Sequence, residues 1–162
     1  MSNSTCPSPG GVLSGVDEPP EFVCLRETVP PGAGHVLAMA ALAASASAVP
    51  RLRRLAKALA HSRRLPAAAQ EALAVVVTEL ATNVVLHSGS ADLEVMFVAG
   101  DAELTVVVRD HGRWRERPAR RCEAADMGAD FGRGLALVDA YSLDTSVRQS
   151  DRGTVVRAVI AV

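Results

Sequence analysis

Aromatic side chains are scarce, at 3% of 162 residues, so any core has to be built from Ala, Val and Leu. Net charge is nearly absent as well. A formal value of −1 gives no bulk reason for nonspecific binding to nucleic acid or to an anionic membrane. Cysteine is limited to Cys6, Cys24 and Cys122, widely separated and without metal-ligand spacing. This odd set argues against a disulfide framework or a zinc site and fits a reducing cytoplasm. The first residues are polar and carry Pro and Gly where a secretory leader would need a basic and then an apolar stretch. Long hydrophobic runs are lacking too. The longest low-charge run, residues 29–49, is Ala-rich and interrupted by Pro30, Pro31, Gly32, Gly34, Ser45 and Ser47, so a membrane span is not expected. No G-K-[ST] phosphate loop, no paired ligand motif around His87 and His111, and no internal repeat occur.

What is present reads as one domain behind a tail. The composition, 49% hydrophobic and 22% charged, is ordinary for a globular chain able to bury a substantial core. Residues 1–34 hold Pro7, Pro9, Pro19, Pro20, Pro30 and Pro31 among many Gly and Ser, the composition of a disordered tail, and the folded domain is expected over 35–162. Ser47 is placed to cap a helix over 48–61, with Leu52, Leu55 and Leu59 on one face and Arg51, Arg53, Arg54 and Lys57 on the rest. Pro66 marks the start of a second helix whose apolar pattern runs to about His87.

The texture changes after Ser88-Gly89-Ser90. Leu93, Val95 and Phe97 alternate, Gly100-Asp101 makes a turn, and Leu104, Val106 and Val108 alternate again, which predicts a hairpin. Residues 113–132 are charged and without period. A short helix is predicted over 135–141, and strands over 143–148 and 154–162 flank an Asp151-Arg152-Gly153 turn. Helices first and a mostly antiparallel sheet later predict an α+β, two-layer architecture with helices packed on one face of the sheet.

Three features within this frame carry polar groups where apolar ones are expected. On the second helix Leu73, Val76, Val77, Leu80 and Val84 share a face, and Glu79, Asn83 and His87 form an i, i+4, i+8 row at its border. A carboxylate there is costly unless paired or near a cation, so the row is either a solvent-facing border or the edge of a site. Asp110 has the same strand parity as Leu104, Val106 and Val108, which puts an acid at the end of an apolar sheet face just before Gly112. It either caps a turn or accepts a hydrogen bond from a ligand. Finally, Phe131-Gly132-Arg133-Gly134-Leu135 leads two glycines into a helix, an arrangement able to bring backbone N–H groups to an anion.

In this order the pieces resemble the GHKL, or histidine-kinase-like, ATP-binding fold, over residues 48–162. More narrowly they resemble the small single-domain bacterial members typified by anti-sigma-factor serine/threonine kinases. E-L-x-x-N-x-x-x-H-S at 79–88 is similar to the N box, R-D-H-G at 109–112 to the D-x-G motif, G-R-G-L-x-L-V at 132–138 to the glycine-rich motif, and Gly153-Thr154 to the final G-T. The resemblance implies the Bergerat architecture, a two-layer sandwich with a mostly antiparallel mixed sheet. It implies that Asn83 ligates Mg²⁺, that Glu79 is the general base, and that His87 lies at the phosphate or ribose end of ATP. It assigns Asp110 to the adenine amine with Thr154 completing that pocket, Gly112 to close approach of the base, and Gly132, Arg133, Gly134 and Leu135 to the phosphate-side turn and helix start. Position 114 is Trp where many relatives have a second glycine, and residues 113–132, with Arg113, Arg115, Arg117, Arg120 and Arg121, correspond to the ATP lid.

The function so implied is a cytoplasmic, Mg-ATP-dependent serine/threonine protein kinase that phosphorylates an anti-sigma-factor antagonist and binds a sigma factor. A homodimer is compatible with it; direct nucleic-acid or membrane binding is not expected. The alternative is a module that binds ATP and partners without significant phosphotransfer. A two-component histidine kinase fragment is disfavoured, because neither His35 nor His61 lies in a phosphoacceptor helix pair.

Overall fold

The structure is a computed structural model that describes residues 34–113 and 133–162. The expectations for the tail, for Gly132 and for Arg115, Arg117, Arg120 and Arg121 lie outside those residues. The element order is β1 (His35–Ala43), α1 (Ala48–Ser62), α2 (Ala67–Asn83) running into a π-helical turn (Val84–Ser88), β2 (Asp92–Ala99), β3 (Glu103–Asp110), α3 (Arg133–Ala140), β4 (Asp144–Ser150) and β5 (Gly153–Ala161). The strands form one sheet in the order β1-β2-β3-β5-β4, and all four pairings among the described strands are antiparallel.

The period-two pattern sets which side of the sheet meets the helices. Leu93, Val95 and Phe97 of β2, Leu104, Val106 and Val108 of β3, and Val156, Ala158 and Ile160 of β5 are buried with Leu73, Val76, Val77, Leu80 and Val84 of α2 in one core. The register stacks them in rows across the strands: Val95 faces Val108, which faces Val156, and Phe97 faces Val106, which faces Ala158. Among the described residues Phe97 is the largest fully buried side chain, and on α1 the small residues Ala56 and Ala60 are fully buried, so the helix layer lies close. Among the described residues one continuous helix, Ala67–Ser88, is long and apolar enough to cross a membrane, but its apolar face is spent on this core.

Three local outcomes differ from the sequence reading. The Ala-rich segment before α1, to which the sequence assigned no element, is the edge strand β1, irregular between Val36 and Ala38. Alanine is a poor strand former in isolation, and pairing with β2 overrides that weak propensity. Ser47 does not cap α1 with its side chain: its backbone is already helical and its Oγ lies 2.9 Å from Ser45 Oγ. The Ala48 amide donates instead to the Ser45 carbonyl. The second helix does not keep one period to His87 but changes to i→i+5 bonding at Val84.

Two glycines mark where the chain has to bend tightly. Gly89, at φ +68°, ends the π turn in open space, whereas Gly153, at φ +123°, would carry a Cβ only 1.9 Å from the Asp110 carbonyl oxygen. Replacing Gly89 by Ala is expected to cost about 1–2 kcal/mol, the left-handed penalty alone. Replacing Gly153 by Ala adds an overpacking cost of about 1–3 kcal/mol. Urea denaturation of the two variants should therefore rank G153A well below G89A.

Candidate functional site

Site building starts at the edge of α2. Glu79 and Asn83 are one turn apart and both half-buried, between the helix layer and the solvent-facing side. α3 begins directly against them: a Cβ on Gly134 would lie 3.0 Å from Glu79 Oε2 and 3.3 Å from Asn83 Oδ1. The fully buried Val138 and the partly buried Leu135 hold α3 on the core at that position. A carboxylate oxygen and a carboxamide oxygen thus converge on the first turn of a helix, where backbone N–H groups lack intrahelical partners. Arg133 supplies the first residue of that turn.

The second half of the site is at the end of β3. Asp110 and Thr154 face each other across β3 and β5, and each is only 1% exposed. Asp110 Oδ1 accepts the Gly112 amide at 2.8 Å, closing an Asx-type turn. The buried Thr154 hydroxyl has no hydrogen-bond partner among the described residues. Such a group costs free energy unless something outside the protein satisfies it. A buried acceptor and an orphaned hydroxyl side by side at a strand end suit a ligand carrying both a donor and an acceptor.

Backbone stitches lock the two halves together. Gly112 sits so close to the end of the π turn that a Cβ there would lie 2.1 Å from the Ser88 carbonyl oxygen. The Arg113 amide donates to that same oxygen at 2.9 Å, and the His111 amide donates to Ser90 Oγ at 3.1 Å. His111 Nδ1 also lies 3.1 Å from Asp92 Oδ1 at the start of β2. The hydrogen bond from His111 outweighs the opposing effect of burial and, with a further hydrogen bond from Ser90, holds the Asp92 carboxyl below the ordinary carboxylate range. Arg113 pairs with Asp151 at 3.2 Å, but both are exposed and the bridge contributes little.

The structure therefore brings Glu79, Asn83, Gly134 and Leu135 together on one side and Asp110, Gly112 and Thr154 on the other. His87, half-buried in the π turn, makes no hydrogen bond among the described residues. Sequence reasoning named Ser88 and Gly153 only as members of the N-box and G-T motifs and missed Ser90 and Asp92 as supports of the site. The contacts they make to Gly112, Asp110 and His111 join segments far apart in the chain, which residue type alone does not advertise. No group of three or more His, Cys, Asp or Glu suited to a metal occurs among the described residues. The neighbouring oxygens of Glu79 and Asn83 are hard donors, the kind a small divalent cation accepts in a partly protein-built sphere.

Comparisons with known proteins identify the family and the fold. The profile of the family described as "Histidine kinase-like ATPase domain" matches residues 42–160, from the end of β1 to the end of β5, and the chain belongs to that family. No curated protein is a significant match. Among solved structures, that of the RsbU and RsbW domains of Rv1364c from Mycobacterium tuberculosis superposes with a TM-score of 0.59 at 17% identity, over 76% of this chain and 32% of that one. The likeness is one of fold, and this chain corresponds to about a third of the length of its neighbour.

Thr154→Val keeps the shape and removes the orphaned hydroxyl. Without ligand it is expected to leave stability unchanged or raise it by about 1 kcal/mol, a sign opposite to most buried substitutions and readable by chemical denaturation. The folded pKa of Asp92 is below its unfolded value, so its stabilisation is present above the unfolded value and lost as pH falls through the folded one. The stability difference between wild type and Asp92→Asn should therefore shrink on the acid side of about pH 4 in a denaturation series.

Proposed function

We propose that the domain binds Mg-ATP with its base against Asp110 and Thr154 and its phosphates at the start of α3, and transfers the γ-phosphoryl group to a serine or threonine of a partner protein. The observation that carries this reading is the fully buried Asp110–Thr154 pair with its unsatisfied hydroxyl. Adenine presents an exocyclic amine that donates and ring nitrogens that accept, which is the complement of that pair. Asp110 would take the amine, Thr154 a ring nitrogen, and Gly112 would let the ring lie on the backbone.

At the other end, Glu79 and Asn83 would act in sequence along one helix edge. Asn83 Oδ1 would hold Mg²⁺, whose charge offsets that of the phosphates. Gly132, Arg133, Gly134 and Leu135 would place backbone N–H groups and the positive end of α3 against phosphate oxygens. Glu79 would accept the proton of the attacking hydroxyl while a new O–P bond forms to the γ-phosphorus and the bond to the β-phosphate oxygen breaks, leaving ADP and a phosphorylated side chain. His87 would lie near the phosphate or ribose end. Most of the acceleration would come from positioning and charge neutralisation.

By resemblance to anti-sigma-factor kinases, the substrate protein would be an anti-sigma-factor antagonist, the second partner a sigma factor, and the setting the cytoplasm, with a homodimer as the assembled form. The structural neighbour, whose name includes an RsbW domain, supports this reading through its fold.

Calorimetric titration with Mg-ATP, followed by phosphotransfer to a candidate antagonist, tests the assignment. Asp110→Asn and Asn83→Ala should each weaken nucleotide binding by about 10- to 100-fold, as expected for losing one charge-assisted or metal-bridged contact. Glu79→Gln should bind nucleotide nearly as wild type but transfer phosphate about 10²- to 10⁴-fold more slowly. Equal binding by all variants would sink the site. Intact binding with no Glu79-dependent transfer to any antagonist would leave the chain an ATP-holding partner module.

A further inference from the structure

Helix α1 and the residues just after it carry a dense run of cations with no intervening acid. Between Glu27 and Glu71 the sequence contains no Asp or Glu, yet residues 51–64 hold Arg51, Arg53, Arg54, Lys57, Arg63 and Arg64, six of the chain's 17 Lys and Arg. Buried Ala48, Leu52, Ala56 and Ala60 define one face of the helix, while Arg53, Arg54, Lys57 and His61 are exposed. At roughly 100° per residue Arg53, Arg54 and Lys57, with His61 beside them, share the arc away from the core. Arg53 and Lys57 are an i, i+4 like-charged pair, and Arg51 and Arg54, and Arg54 and Lys57, are i, i+3 pairs, an arrangement that destabilises a helix slightly. Among the described residues Arg53, Arg54, Lys57 and Arg64 form no ion pair, and Arg63 is hydrogen-bonded to His35 at 2.9 Å.

We propose that the outer arc of α1, centred on Arg53, Arg54 and Lys57, is a docking surface for an acidic helix or segment of another protein. Charge complementarity supplies the attraction, and a helix about 22 Å long matches the length of a short partner helix. A membrane is the poorer occupant. The apolar arc of α1 is already buried in the core, and between 51 and 61 the exposed arc offers no large apolar residue and no Phe, Tyr or Trp to insert. Nucleic acid fits less well for two reasons. That arc carries no Phe, Tyr, Trp, Asn or Gln to stack on or read bases. Outside residues 51–64 the sequence carries 11 Lys and Arg against 18 Asp and Glu, so a long polyanion reaching past the stripe would be repelled, whereas a compact acidic patch would not. The surface is independent of the nucleotide reading, because none of its residues belongs to that site.

The test uses the full chain and a fluorescent helical peptide of about 20 residues with Glu at i, i+4 spacing, titrated at about 50 mM and about 200 mM salt. Binding is expected at the lower salt, weakening several-fold at the higher. The triple variant R53E/R54E/K57E should lose at least ten-fold in affinity, and R53Q/R54Q/K57Q, which keeps helix propensity and carries the test if charge reversal disturbs folding, should lose part of that. No peptide binding, or binding indifferent to the three residues, overturns the proposal. So does tighter binding of a DNA duplex of about 20 base pairs or of phosphatidylserine vesicles through the same residues. A protein that binds the peptide but not Mg-ATP leaves this surface standing and removes the nucleotide assignment; the reverse result does the opposite.

Discussion

The burial of Asp110 is the constraint around which the rest of the molecule is arranged. An acid at 1% exposure on the apolar face of a sheet is stable only if its surroundings satisfy it. The Gly112 amide does part of this from two residues away, which forces the chain to turn at once after β3. That turn is then pressed between two other segments, since a side chain at Gly112 would strike the Ser88 carbonyl and one at Gly153 the Asp110 carbonyl. The end of the long helix, the end of β3 and the start of β5 thereby share one junction, and glycine is needed where the backbones meet.

From that junction the two halves of the site follow. The same π turn that carries Ser88 to Gly112 ends the α-helical run at Asn83, and π turns of this kind concentrate at functional positions in helices. Shifting the helical register after Asn83 leaves Glu79 and Asn83 beside the start of α3 and lets Ser88 reach the Asp110 turn. A uniform α-helix would direct residues 84–88 elsewhere. The absence of a side chain on Gly134 matters for the complementary reason: the helix start comes to within contact of a carboxylate and a carboxamide. Each close approach puts backbone where a ligand's polar atoms can meet it.

Charge is segregated on the same scaffold. The half-buried edge of α2 keeps its acid and amide toward α3, while α1 carries its cations outward and its alanines and leucines inward. Both patterns obey helical periodicity, but with different consequences. On α2 the polar border meets the start of α3; on α1 nothing among the described residues covers the polar arc.

Periodicity by itself determined the α+β class, the hairpin of β2 and β3, the apolar face of α2, and the placing of Asp110 on the core side, because all of these depend on spacing within one segment. The ordered motifs likewise identified the family from residue types alone. Tertiary structure decided the rest. β1 forms because β2 offers a pairing edge that outweighs the weak strand propensity of alanine. Ser47 makes no side-chain cap because its backbone is already helical, while its hydroxyl pairs with that of Ser45. The helix changes its hydrogen-bond pattern at Val84, and the end of that π turn brings the Ser88 carbonyl against Gly112. The meeting of Asp110 with Thr154, and of Gly134 with Glu79, depends on register and packing between segments tens of residues apart, where the sequence holds the partners but no local rule that pairs them.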